Sequence, residues 1–422
     1  MQVAVVGAGA AGLVCARELV RKGHSVTVFE QSRELGGVWV YRPEVEDDPL
    51  GRRPSRRVFS SMYDSLRTNL PRDLMAFRDY TFDSNGGGDD RWPRFPHHSK
   101  VLVYLQNFAR DFGIFPLIRF SETIAALEPT GDDAWTVQLS DGTRTQFDAV
   151  AVCNGHYAAP RVARIPGMDQ FRGQLLHSHN YRNPDDFHGK RVALLGTAAS
   201  GADLAREIAT VADQVYWCGK SFARTQRITN NLDGFPVPTR FLDSHSLQLA
   251  DGSTLKQLDA FIFCTGYEVE FPFLDDEILQ VNDNWAHPLY LDVLSPTHRT
   301  LGLIGLPFVV IPFPLFEMQA KWFAAAMSGD VELPDQEHML VLLDQHRDAL
   351  ERDNEPMHHY HKLGEQQFAY TDMLARQCGG DPVPEWFIEL ARESGQSRLD
   401  NPANFRDLPL HSRNPQLDAT RS

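Results

Sequence analysis

The chain has 422 residues, 42% of them hydrophobic and 23% charged, and a formal net charge of −15 at pH 7. That length supports two or three domains with separate cores. The acidic balance, without any Lys/Arg run, excludes nucleic acid and anionic membrane as expected partners, because phosphate binding needs clustered cations.

In chain order, "QVAVVGAGAAGLVCARELVRKGHSVTVFEQ" reads as a buried strand, a glycine turn, an amphipathic helix and a second strand ending at Glu30. In this βαβ pattern Gly7 permits the tight turn, Gly9 lets the backbone approach a pyrophosphate, and Gly12 lets helix pack closely on strand. Glu30 stands about twenty residues on, where a carboxylate reaches a ribose hydroxyl and repels a 2′-phosphate, so the turn selects FAD or NAD over NADP. The loop "ELGGVWVY" follows at once. Its Gly36 and Gly37 offer a second close approach and Trp39 a flat surface, which favours FAD.

Beyond it "YDSLRTNLPRDLMAF" is irregular and "DSNGGGDD" reads as an exposed turn, while "SKVLVYLQNFARDFGI" has helical spacing with Tyr104 and Phe108 facing the core. After a β-rich passage, "FDAVAVCNGHYAAP" reads as a buried strand running into a loop, with Asn154 and His156 fixing backbone at the strand end. Pro160 and Pro166 mark a domain crossing.

"RVALLGTAASGADLAREIATVADQVYWCGKS" then repeats strand, turn, helix and strand, so the turn "GTAASG" reads as a second dinucleotide site. Gly196 and Gly201 are in place, and Ala198 stands where a middle glycine is usual, adding one methyl that hinders close approach without abolishing it. Ser200 and Asp203 are placed to cap and hold the turn, with the Ser200 hydroxyl in reach of a phosphate. No acid ends the second strand. Lys220 and Arg224 follow instead, either as partners of a 2′-phosphate, which favours NADPH, or as solvated surface cations.

"LKQLDAFIFCTGYEVEFPFL" reads as the strand closing this segment, with a turn at Gly266, and the remainder, from "PLFEMQAKWFAAAMSG" through "DQEHMLVLLDQHRDALERD", as mostly helical. The longest apolar run, "LGLIGLPFVVIPFPLF", is broken by Pro307, Pro312 and Pro314 and is too short to span a bilayer. The start lacks the pattern of a secretory signal, and the polar tail "FRDLPLHSRNPQLDATRS" carries no anchor. The five cysteines, Cys15, Cys153, Cys218, Cys264 and Cys378, form no CxxC pair and no zinc spacing, and read as buried thiols. A soluble, cytoplasmic protein without a metal site is expected.

Between the two turns "FRGQLLHSHNY" sets Phe171, Gly173, His177 and Tyr181 in an FxGxxxHxxx(Y/F) pattern. Together with both glycine turns, "GGVW", "NGH" and "CTGY", this order of motifs resembles the flavin-containing monooxygenases from Met1 to about Gly329. It looks most like the plant-type members that S-oxygenate thioglucosides and related thioethers. The resemblance implies an α/β fold with two dinucleotide-binding, Rossmann-like domains and a helical C-terminal part. The FAD-binding domain would comprise 1–157 and 272–335, the NADPH-binding domain 158–271 would be inserted in it, and 336–422 would be the helical region.

It further implies FAD and NADPH as cofactors and O2 as co-substrate, with a C4a-hydroperoxyflavin that oxygenates a soft nucleophile, sulfur ahead of nitrogen. A homodimer is the assembly the family suggests. Asn69 matches the family asparagine near the flavin ring, where a neutral amide donates and accepts hydrogen bonds without a charge that changes with pH. His177 is implied to organise the loop between the two domains rather than to act as acid or base. Ala198 departs from the family pattern and bears on nicotinamide cofactor affinity, and Tyr181 stands where Baeyer–Villiger monooxygenases usually carry tryptophan. No nucleophile triad, carboxylate pair or metal cluster stands out, as expected where a cofactor carries the hard chemistry. The alternatives are a Baeyer–Villiger monooxygenase and a flavin-dependent NADPH reductase or oxidase without oxygen transfer; a disulfide-reducing version would need the CxxC that is missing.

Overall fold

The computed structural model describes residues 1–84, 86–131 and 134–412, so Asn85 of the Gly/Asp loop and the end of the polar tail lie outside the described residues. The chain forms two compact units, Met1–Val40 with Arg67–His156 and Val269–Ser422, and Tyr41–Leu66 with Tyr157–Glu268.

The first unit is built on a five-stranded parallel sheet in the order Leu301–Leu303, Ala149–Val152, Gln2–Val6, Ser25–Glu30, Ile118–Phe120. Four successive residues of Gln2–Val6 are buried, since the sheet is covered on both faces. Val3 and Val5 belong to the cluster that holds Leu13 of the helix Ala10–Arg21 and Phe323 of the helix Pro312–Met327. Ala4 and Val6 belong to another, with Trp135 and Val137 of the antiparallel layer Ile124–Thr130, Ala134–Leu139, Arg144–Phe147. Full burial of one Val or Leu is worth about 1.5–3 kcal/mol, so the four positions Val3 to Val6 are all under pressure to be apolar, while Gln2 is exposed.

The helix His98–Asp111 buries Tyr104 and Phe108 as its spacing requires. The Gly/Asp loop is not the exposed turn its composition suggests: Gly87 is buried, and a Cβ there would strike the rings of Tyr80 and Tyr104. Arg17, 1% exposed, donates from Nε to Glu18 (2.7 Å), from Nη1 to Asp79 (2.7 Å) and from Nη2 to Glu317 (2.6 Å). This ties the first helix to Pro312–Met327, and stranding one charge of such a buried cluster costs about 3–5 kcal/mol. Helices Gln336–Arg352, Gln366–Cys378 and Glu385–Asp400 complete the C-terminal part. Among the described residues no helix is long and apolar enough to cross a membrane.

The second unit carries a six-stranded sheet in the order Gln226–Arg227, Leu232–Phe235, Gln214–Cys218, Arg191–Leu195, Ala260–Phe263, Gln174–His177. It is parallel except at the edge pair Gln226–Arg227 and Leu232–Phe235. The alternation recurs: Val192 and Leu194 join Leu204 and Ile208 of the helix Ala199–Ile208, while Ala193 joins Phe241 and Leu247 of a small antiparallel sheet. The α/β class with two Rossmann-like units and a helical C-terminal part is the fold the sequence predicts. Cys15, Cys153, Cys218 and Cys264 are buried and Cys378 half-buried, all as free thiols.

Candidate functional site

In the first unit, Gly7 has φ +98° and a Cβ there would come within 2.7 Å of the Cys153 carbonyl oxygen; a Cβ on Gly12 would strike the Gly7 carbonyl. The protein's own backbone requires both glycines. Gly9 is different: its φ −77° and ψ −174° suit any residue, and a Cβ would meet only the Gly37 backbone, Cα at 3.6 Å and N at 3.9 Å. The missing side chain leaves a cradle at the helix N-terminus, where backbone N–H groups lack intrahelical partners and favour a phosphate.

Glu30 is buried at its strand end, its Oε2 accepting from the Ala8 N–H and its Oε1 from the Ser32 N–H, both at 2.8 Å. The carboxylate is thereby fixed beside the turn with lone pairs left for a hydroxyl. The Ala8 carbonyl in turn accepts from the Gly36 N–H (2.9 Å), which stitches the second glycine loop to the first turn. Trp39, in the short 3-10 turn Gly37–Trp39, meets Phe313 edge-on at 6.1 Å. Gly7, Gly9, Gly12, Glu30, Gly36 and Gly37 are therefore brought together, and they fit a dinucleotide.

Asn69 lies half-buried in the same unit. Its neighbours are pinned: the Thr68 N–H donates to the Pro96 carbonyl (2.9 Å), the Thr68 hydroxyl to the Leu70 carbonyl (2.8 Å) and the Arg72 N–H to the Arg94 carbonyl (2.7 Å). The Asn69 amide itself has no partner among the described residues. Asn154 donates to the Glu270 carbonyl (3.0 Å), and burial pushes the His156 imidazole down to about 4.

In the second unit a Cβ on Gly201 would strike the Gly196 carbonyl, repeating the first turn. Ala198 takes the N-cap position with φ −76° and ψ −171°, so its methyl costs the backbone nothing. Ser200 is not a cap: it lies exposed inside the first helical turn, two places after the N-cap Ala198, and the Asp203 carboxylate accepts from the Tyr63 hydroxyl (2.8 Å). The Thr197 and Ser221 hydroxyls, 2.8 Å apart, tie the turn to the loop that carries Lys220 and Arg224. Both cations are exposed, and neither is in an ion pair among the described residues.

Phe171, Gly173, His177 and Tyr181 all belong to the second unit. Phe171 is buried against Phe241, with ring centres 5.0 Å apart, and a Cβ on Gly173 would come within 2.5 Å of the Asp259 carbonyl oxygen. His177 is fully buried, its Nδ1 accepting from the His179 N–H (3.1 Å). Burial first, and the neighbouring His179 second, push its imidazole down to about 3. Tyr181 donates to Glu207 (2.8 Å) and meets the Tyr63 ring at 5.8 Å.

Arg182 escapes sequence reasoning. Buried at 7% exposure, it donates to the carbonyls of Arg42 (2.6 Å), Glu44 (3.0 Å) and Ser60 (3.2 Å), and to those of His179 and Tyr181 (both 2.8 Å). Asn180 adds its Oδ1 to the Glu46 N–H (3.0 Å), so the FxGxxxHxxxY segment holds the stretch 41–66 in place. An arginine in a loop ordinarily reads as solvated, and its carbonyl partners lie too far away in sequence to signal otherwise.

A family model for flavin-binding monooxygenase-like proteins matches residues 1–239 and 239–390. The flavin-containing monooxygenase FMO GS-OX-like 3 of Arabidopsis thaliana is 40% identical over 420 residues, 96% of this chain and 93% of its own. FMO GS-OX5 of the same plant is 42% identical over 402 residues, covering 92% and 86%. The solved structure of S-allyl-L-cysteine S-oxygenase from Allium sativum matches with a TM-score of 0.93 and 38% identity, over 99% of this chain and 97% of that one. Two glycine turns of one geometry each open a helix on a parallel sheet, and the chain belongs to the flavin-containing monooxygenases as an FAD- and NADPH-dependent enzyme using O2.

Proposed function

We propose that the enzyme S-oxygenates a small thioether, converting sulfide, O2, NADPH and a proton to sulfoxide, water and NADP+, with amine N-oxygenation as the weaker activity. The observation that carries this reading is the likeness, along nearly the whole chain, to an S-allyl-L-cysteine S-oxygenase. FAD, when bound, supplies the reactivity toward O2 that no side chain has.

The chain's own residues hold and orient. The cradle at Gly9 takes the FAD pyrophosphate on free N–H groups, Glu30 accepts a ribose hydroxyl, and the loop Gly36, Gly37 and Trp39 closes over the same nucleotide. Asn69 offers an NH2 donor group and a carbonyl acceptor that no group among the described residues claims, and no pH change alters them. Gly196, Ser200 and Gly201 receive the NADPH pyrophosphate, and Lys220 with Arg224 receives the 2′-phosphate. His177, held neutral by burial, supports the segment around Arg182 rather than moving a proton. In this reading 1–157 with 272–335 is the FAD body and 158–271 the NADPH body of a cytoplasmic homodimer.

Competition decides the substrate element. With methyl phenyl sulfide and N,N-dimethylaniline present together, the sulfoxide is expected to form with the larger kcat/KM; the reverse order makes the protein an N-oxygenase.

A further inference from the structure

The first unit holds a cavity of about 200 Å3 apart from its glycine turn, walled by residues 72–83 and by three C-terminal helices. Phe77, Phe82, Leu315, Phe368, Trp386 and Phe387 give it an aromatic and aliphatic lining. Several of its polar side chains are engaged with the protein. Arg72 donates to the Asp89 carbonyl (2.8 Å), Arg78 to the Asp381 carbonyl (2.5 Å) and Arg94 to Asp73 (3.2 Å). Gln367 accepts from the Ile311 N–H (2.7 Å) and donates to the Gly364 carbonyl (2.8 Å). With these groups engaged, the aromatic and aliphatic part of the lining selects a guest by shape and apolar surface, beside the carboxylates of Asp83 and Asp381 on the same wall. An engineered apolar cavity of about 150 Å3 in another protein takes benzene, and this one is of the same order of size.

Two connections link the cavity to the residues described above. Phe77 stacks on Phe313 at 5.3 Å, and Phe313 meets Trp39 at 6.1 Å. Arg72 and Asp73, on the cavity wall, follow Asn69 by three and four places in a segment anchored to Arg94. We propose that this cavity seats the apolar substituent of the substrate, an aryl or alkyl group carried on the sulfur, and so ranks substrates by the size of that group. The proposal rests on the S-oxygenase reading.

Leu315→Phe fills the cavity and Phe387→Ala enlarges it. In the holoenzyme, Leu315→Phe is expected to lower the kcat/KM ratio of methyl phenyl sulfide to dimethyl sulfide about tenfold. Phe387→Ala should shift preference toward methyl naphthyl sulfide. A ratio is read, so a general loss of folded enzyme cannot imitate the effect, and if Leu315→Phe does not fold, Phe387→Ala still decides. Direct binding of fluorobenzene to the oxidised holoenzyme without NADPH, followed by 19F NMR, should be seen in the wild type and be weakened by the filling variant. Unchanged ratios in both variants, or fluorobenzene binding that neither variant alters, overturns the proposal. A wild type that oxygenates no sulfide instead fails the S-oxygenase reading, and the fluorobenzene experiment, which needs no turnover, still judges the cavity.

Discussion

Gly9 and Ala198 hold one backbone geometry at the start of their helices, φ −77° and ψ −174° against φ −76° and ψ −171°. The methyl of Ala198 is tolerated without strain and adds bulk at the point where a helix N-terminus meets phosphate. Ala198→Gly is therefore predicted to lower the Kd for NADP+ about three- to tenfold, and Gly9→Ala to lower the FAD content of the purified protein. Nucleotide titration by fluorescence and the flavin-to-protein absorbance ratio check the two; an unchanged Kd would place the Ala198 methyl away from the nucleotide.

Lys220 and Arg224 are exposed cations on a loop tied to the second glycine turn through Thr197 and Ser221. Replacing either by alanine is predicted to raise KM for NADPH about tenfold and KM for NADH much less, since only NADPH carries the 2′-phosphate. Steady-state kinetics with both cofactors tests this, and equal effects would return the two residues to the solvated surface.

Thr68 and Arg72 are anchored on either side of Asn69, whose amide has no partner among the described residues. Asn69→Ala is predicted to keep flavin reduction by NADPH within about twofold while diverting most of the NADPH consumed to hydrogen peroxide. Peroxide and sulfoxide assayed side by side give the coupling ratio. Wild-type coupling in the variant would remove Asn69 from the chemistry.

His177 sets a pH dependence of stability. Below its ordinary value of 6.5 the unfolded chain binds a proton that the folded chain, with this imidazole held at about 3, does not. Stability therefore falls as pH drops from about 6.5 toward 3, with a limiting slope of about 1.4 kcal/mol per pH unit for one proton, and this contribution fades out above about pH 7.5. His156, pushed down to about 4, acts in the same direction. His177→Asn keeps an acceptor for the His179 N–H, and its Tm is predicted to fall less steeply than the wild type's between pH 6.5 and 5.

Both βαβ units were legible because strand and helix periods, turn glycines and the Glu30 carboxylate all fall within thirty residues of chain, where local pattern and fold agree. What was illegible depends on distant partners. Arg182 spends its donors on carbonyls some 120 to 140 residues away as well as nearby ones. Nothing in the stretch 41–66 announces that it packs with the second unit. Gly87 looks like a solvent turn until the rings of Tyr80 and Tyr104 are placed over it, and Ser200 looks like a cap until Ala198 is found at that position. The cavity behind Leu315 and Phe387 joins residues more than 300 positions apart, and no motif marks it.

The most direct test of the account supplies the purified holoenzyme with NADPH, methyl phenyl sulfide and 18O2, and follows product mass with NADPH consumption. Sulfoxide carrying one 18O atom, formed close to one per NADPH oxidised, is the predicted result. Unlabelled sulfoxide, or NADPH consumed entirely to hydrogen peroxide with the sulfide unchanged, would contradict it.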